Sequence, residues 1–123
     1  MAQAAAKIID RESARPAIDR AELARMTLGD RSLEREVLQL FERQAGLLLA
    51  RMHSGEPEIV SSLAHTLKGS AASIGASGVQ MAAAGVEQAS AAERKEALDR
   101  LAVAIDEACA AISALLRQGE PEG

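Results

Sequence analysis

The chain is 123 residues long and 48 % apolar, with a formal net charge of −4, one cysteine, one phenylalanine and neither tryptophan nor tyrosine. That length holds one domain with a real core but not a nucleotide-binding domain beside a second module, and the absence of a Lys/Arg block and of a Trp or Tyr base-stacking platform argues against a nucleic-acid binder. Cys109 alone cannot form an internal disulfide, and no apolar run at the Met1 end has the length of a signal peptide or a membrane span, so a cytoplasmic protein without membrane contact is expected.

Ala, Leu, Glu, Arg and Gln dominate, a composition of packed helices, and the β-branched and aromatic runs that strands need are missing. Residues 1–17 are Ala-rich and charged without a sustained apolar stripe and read as a loosely ordered lead-in. Asp19 can cap a short helix carrying Leu23 and Met26 that ends near Leu28-Gly29-Asp30. Asp30 or Ser32 then starts a long helix with an apolar stripe of Leu33, Val37, Leu40, Phe41, Ala45, Leu48 and Met52, and Gly55 supplies its exit. Phe41 is expected in the core.

Pro57 falls in the first turn of the next helix, between Glu56 and Glu58, where proline and acidic groups are both favoured. This helix should run to about Ile74, with Gly75 and Gly78 bracketing a tight connection and Ser77 capping a helix that carries Val79, Ala82, Val86 and Ala89. Ser90-Ala91-Ala92-Glu93 has the pattern of a capping box. The last helix follows with Leu98, Leu101, Ile105, Ala108, Ile112 and Leu115, a seam suited to packing at shallow angles, and Gly119-Glu120-Pro121 ends it. Residues 118–123 read as a flexible tail. Four amphipathic segments joined by short loops over residues 18–117 make an all-α fold, an antiparallel up-down four-helix bundle with a short additional N-terminal helix.

The chemistry concentrates on the third helix from the start. At about 100° per residue, His65, Lys68, Gly69 and Ala72 share one helical face, while Val60, Leu63, Leu67, Ala71 and Ile74 share the opposite one. The imidazole therefore points away from the core. Its surroundings are small (Ser61, Ser62, Gly69, Ala72), and Lys68 is the only Lys or Arg between His53 and Arg94, placed one turn on, where it can meet an anion held on the ring. Glycine inside a helix costs about 1 kcal/mol relative to alanine, so Gly69 has either of two purposes: room for a partner to reach the imidazole, or room for a neighbouring helix. A neutral imidazole is nucleophilic at one nitrogen when an acceptor holds the other as a donor.

His65-Thr66-Leu67-Lys68-Gly69-Ser70-Ala71, followed by Ile74-Gly75-Ala76, resembles the signature of the histidine-containing phosphotransfer (HPt) family of bacterial multistep phosphorelays. Ile18-Asp19, Leu23 and Gly29-Asp30 leading to Leu38 and Phe41 resemble the family's first two helices, and Val79 to Glu87 its fourth, so the likeness spans about residues 18–116. It implies that His65 accepts a phosphoryl group from the aspartate of one receiver domain and passes it to the aspartate of another. Lys68 matches the phosphate-neutralising lysine and Gly69 the small residue that clears access to the ring. Glu87 falls where many members place Gln or Glu against the ring's other nitrogen, with Gln88 the substitute. The partners implied are response-regulator receiver domains or a hybrid histidine kinase, with Mg²⁺ on the receiver domain and no cofactor in this chain, which would act as a monomeric phosphohistidine carrier without ATP-dependent kinase activity.

The competing reading is a helical docking or inhibitory module for a receiver or kinase that transfers nothing; an intact His65, Lys68 and Gly69 argues against it. His53, at a helix end, suits the negative end of the dipole, and Cys109 reads as a small packed residue. His53, His65 and Cys109 show no metal-ligand spacing.

Overall fold

Asp19 opens the first helix by accepting hydrogen bonds from the backbone N–H groups of Ala21 (3.0 Å) and Glu22 (3.3 Å), which α1, Arg20–Thr27, would otherwise leave unpaired. A computed structural model of the protein describes residues 16–118; residues 1–15 of the lead-in expected over 1–17 and residues 119–123 of the tail expected over 118–123 lie outside the described residues, while Gln118 is helical. Leu23 of α1 is buried as expected, but Met26 is 51 % exposed. Thr27 is buried in its stead, its hydroxyl donating to the Leu23 carbonyl at 2.9 Å.

Asp30 starts α2, Arg31–Ser54, by accepting from the Leu33 N–H at 3.0 Å. The buried residues of α2 are Leu38, Phe41, Ala45, Leu48 and Met52. Leu33 and Leu40, placed on the core stripe by their spacing, are 39 % and 57 % exposed. The reason is that α2 carries two rows of leucines at helical spacing, and only the row through Leu38 and Phe41 faces both neighbouring helices. Gly55 ends α2, but in extended conformation (φ −89°, ψ 160°) and not in the left-handed one. It serves space: a Cβ there would lie 3.0 Å from the Arg51 carbonyl oxygen.

Pro57 is the first residue of α3, Pro57–Ser73, and the residue before it is extended as proline demands. The turn Ile74–Ala76 leads to α4, Ser77–Gln88. Ser77 does not cap that helix. It is the first helical residue, because the buried Ala76 already supplies the first carbonyl, accepting from the Gln80 N–H at 3.0 Å. Gly75, at φ +75°, is required where it stands: the Asp19 N–H donates to its carbonyl at 2.8 Å, and a Cβ would fall 2.7 Å from the Asp19 carbonyl oxygen. The start of α1 is thereby fixed to the α3–α4 turn.

Of the capping box over Ser90–Glu93, one half forms, the Glu93 carboxylate accepting from the Ser90 N–H at 2.9 Å before α5, Arg94–Gln118. The helices α2 to α5 each pack beside their chain neighbour, α5 closes against α2, and among the described residues no backbones of diagonal helices approach within 8 Å between Cα atoms. That is the expected all-α up-down bundle, with α1 lying across α2 and α3. Its axis is filled by Val60, Leu67, Val79, Leu101 and Ile112, each fully buried. No helix among the described residues is long and apolar enough to cross a membrane.

Candidate functional site

The core row of α3 (Val60, Leu63, Leu67, Ala71) is buried, which turns His65 outward. Its side chain is 71 % exposed. Val79, Ala83 and Val86 dock α4 against the bundle, so that Glu87, one residue past Val86, comes up beside the outer face of α3. Glu87 Oε2 lies 3.0 Å from His65 Nδ1, and Oε1 lies 2.7 Å from Lys68 Nζ. One carboxylate thus spans both groups that the sequence singled out. Gln88 is exposed beyond it, and the contact with the ring belongs to Glu87.

The chemistry of these contacts selects the tautomer of the neutral ring. Glu87 is only 20 % exposed, and its Oε1 is shielded from water without an aligned hydrogen-bond donor, so the Lys68 charge is what offsets its burial. The ammonium is the largest influence on Glu87 and holds its carboxyl below the ordinary value; partial burial opposes this, and the contact with His65 adds to it. Glu87 is therefore ionised at neutral pH and can only accept. In the neutral imidazole Nδ1 then carries the proton, and Nε2 is the nitrogen with the lone pair.

Gly69 follows Lys68 on the exposed side of α3, and a Cβ built on it meets nothing within 4 Å. No neighbouring helix needs the space. The Thr66 and Ser73 hydroxyls turn back on their own helix, donating to the carbonyls of Ser62 (3.2 Å) and Ser70 (2.8 Å), and compete for neither ring nitrogen.

His53 is exposed in the last turn of α2, apart from the site. Cys109 is half-buried at the rim of α5; desolvation first, then the Glu42 and Asp106 carboxylates, raise its thiol pKa, the opposite of what a reactive thiolate needs. Among the described residues no three His, Cys, Asp or Glu side chains gather as metal ligands would.

The ion pair between Lys68 and Glu87 escaped sequence reasoning, which assigned each residue separately to the ring or to its phosphate. A signal was present: between Glu58 and Glu93, Glu87 is the only acid and Lys68 the only Lys or Arg. Lone opposite charges on adjacent apolar helices have few partners but each other.

No curated protein and no solved structure matches the chain significantly. A family model described as Hpt domain matches residues 36–118, more than half of the chain and all of α3 and α4. The protein is a member of the Hpt domain family, with a phosphotransfer role in phosphorelays.

Proposed function

We propose that His65 is the phosphoacceptor and that the chain carries a phosphoryl group between receiver-domain aspartates. The observation that carries this reading is the Glu87 contact with Nδ1, which in the neutral imidazole directs the lone pair of Nε2 outward on an exposed ring. In the forward step the Nε2 lone pair forms a bond to phosphorus while the bond from phosphorus to the aspartyl oxygen breaks. The aspartate leaves as carboxylate. No proton has to be removed from Nε2, and the positive charge gained by the ring is shared with Nδ1–H, where Glu87 faces it. Onward transfer runs the same exchange in reverse with a second receiver.

Catalysis of such transfers is mostly positioning and charge stabilisation. Lys68 brings a cation one helical turn from the ring, and Gly69 leaves the approach to it open. Mg²⁺ is assigned to the receiver domain, and the groups described here all belong to this chain. The direct test is incubation of the purified protein with a phosphorylated receiver domain. Label should move to the wild-type chain as an acid-labile, alkali-stable phosphoramidate, should be absent from His65→Gln, and should not arise from ATP and Mg²⁺ alone. Label on the His65→Gln variant would refute the assignment, and self-labelling from ATP would make the chain a kinase.

A further inference from the structure

On the side of α4 away from Glu87, α4 and α5 enclose an open groove of about 440 Å³. Its floor is made of Gly78, Ala82 and Gly85 from α4 with Ala97 and Ala104 from α5. Its lips carry two large apolar side chains left in water, Met81 (72 % exposed) and Val103 (58 % exposed). Glycine weakens a helix, yet a Cβ on Gly78 or Gly85 would meet nothing within 4 Å, so packing inside the chain explains neither. The groove has the volume of a small-ligand pocket, but its floor lacks the converging polar groups that fix a small molecule.

The charges on this face say what fits. Arg100 and Glu107 flank Val103 on α5, seven residues or about 10.5 Å apart along the axis. A copy of α5 laid antiparallel across it, centred on Val103 and Ala104, brings Arg100 of each chain to Glu107 of the other. The same rotation serves α4. Gly78 and Gly85 are likewise seven residues apart, centred on Met81 and Ala82, and line the same stretch of groove. Gly78 of one chain then faces Gly85 of the other, which permits close backbone approach. In place of the monomer expected from sequence, we propose that the α4–α5 groove is a self-complementary dimer interface, occupied by a second copy of this chain across a twofold axis.

The interface has an apolar centre of Met81, Val103 and small residues and a rim of two reciprocal Arg–Glu pairs. Among the described residues Arg100 pairs with Glu96 of its own helix, at 3.6 Å and largely in water, a weak contact that leaves it able to reach across. His65 remains uncovered, because Glu87 and the phosphotransfer face lie on the opposite side of α4.

Sedimentation equilibrium of the full chain from micromolar to millimolar concentration should show the 12.9 kDa mass doubling. Because each substitution enters the interface twice, Arg100→Glu and Glu107→Arg should each weaken the dimer by about tenfold. The combined reversal should restore it. Gly85→Gln should abolish the dimer with the thermal melt retained, since nothing inside the chain touches that position, and Leu40→Glu, on the outer face of α2, should leave it intact. A monomer at every concentration overturns the proposal, whatever else the groove binds. So does a dimer indifferent to the single reversals, one that the combined reversal fails to restore, or one lost in Leu40→Glu.

Discussion

Replacing Glu87 by Gln removes a charge from the site while keeping a carbonyl oxygen that can accept from Nδ1–H, and so separates orientation from electrostatics. The ring is largely exposed, so the water-like limit of the dielectric sets the lower bound of each charge interaction at Glu87, which is itself mostly shielded. A positive ring about 4 Å from the carboxylate is stabilised by about 1 kcal/mol, and a phosphoryl dianion on the far nitrogen, about 6.5 Å away, is repelled by about 1.3 kcal/mol. These nearly cancel. Lys68 then decides the sign, because its ammonium, 2.7 Å from Oε1, must divide itself between the carboxylate and the phosphoryl group. Releasing a partly exposed lysine from such a pair is worth about 0.2–1 kcal/mol to its new partner. Glu87→Gln should therefore raise the equilibrium ratio of phosphoprotein to phosphoreceiver about two- to tenfold and lengthen the phosphohistidine half-life. Radiolabel partition between the two proteins at equilibrium measures the ratio. A ratio unchanged or lowered in Glu87→Gln would show that Lys68 is not shared in this way and that Glu87 acts on the ring alone.

Lys68→Ala should slow transfer at least tenfold by loss of charge stabilisation and lower the melt modestly while leaving the bundle folded, since the pair is partly exposed but Glu87 Oε1 loses the charge that offsets its burial; an unchanged single-turnover rate would reduce it to a surface lysine. Gly69→Gln should gain several tenths of a kcal/mol in helix stability and lose transfer. A fall in melting temperature there would mean that a helix, and not a partner, needs the space. Gly75→Ala should cost about 2–4 kcal/mol from its positive φ and the contact with Asp19, and a melt within a degree or two of wild type would contradict the close approach. Glu87 has a folded pKa below its unfolded one, so its stabilising contribution is present above the ordinary glutamate value and lost as pH falls through the lowered one. The excess stability of wild type over Glu87→Gln in urea at pH 6 should vanish in strong acid, and an excess independent of pH would sever it from this ionisation.

The helices were legible because their boundaries are marked by local chemistry: aspartates at 19 and 30 cap α1 and α2, and Pro57 starts α3. What the sequence could not order were alternatives of equal local merit. Leu40 and Leu38 are both leucines on an apolar helix, and only the positions of α3 and α5 turn one inward and leave the other in water. Ser77 is a good cap by residue type, but the cap is set by where the backbone turns, and Gly75 with Ala76 make that turn one residue earlier. Met26 and Thr27 exchange places for the same kind of reason: a helix of eight residues has too little periodicity to fix its own rotation, so its contacts with α2 and α3 do so.

The site was legible in proportion to the scarcity of charge around it. His65 and Lys68 stand out because their helix face is otherwise small and neutral, and that scarcity has a structural consequence as well as a diagnostic one. In a crowded charged surface the Lys68 ammonium would have several partners and the Glu87 carboxylate several donors, and neither would hold the ring in one tautomer. With Glu87 the one carboxylate and Lys68 the one ammonium near the ring, and Glu58 away in the first turn of α3, the carboxylate bridges Nδ1 and Nζ with a separate oxygen for each. The same neutrality lets the pair rearrange, because no third charge locks Lys68 to Glu87 when a phosphoryl group arrives. A bare face therefore suits both needs of a carrier, a nucleophile held ready before transfer and a cation free to change partner after it.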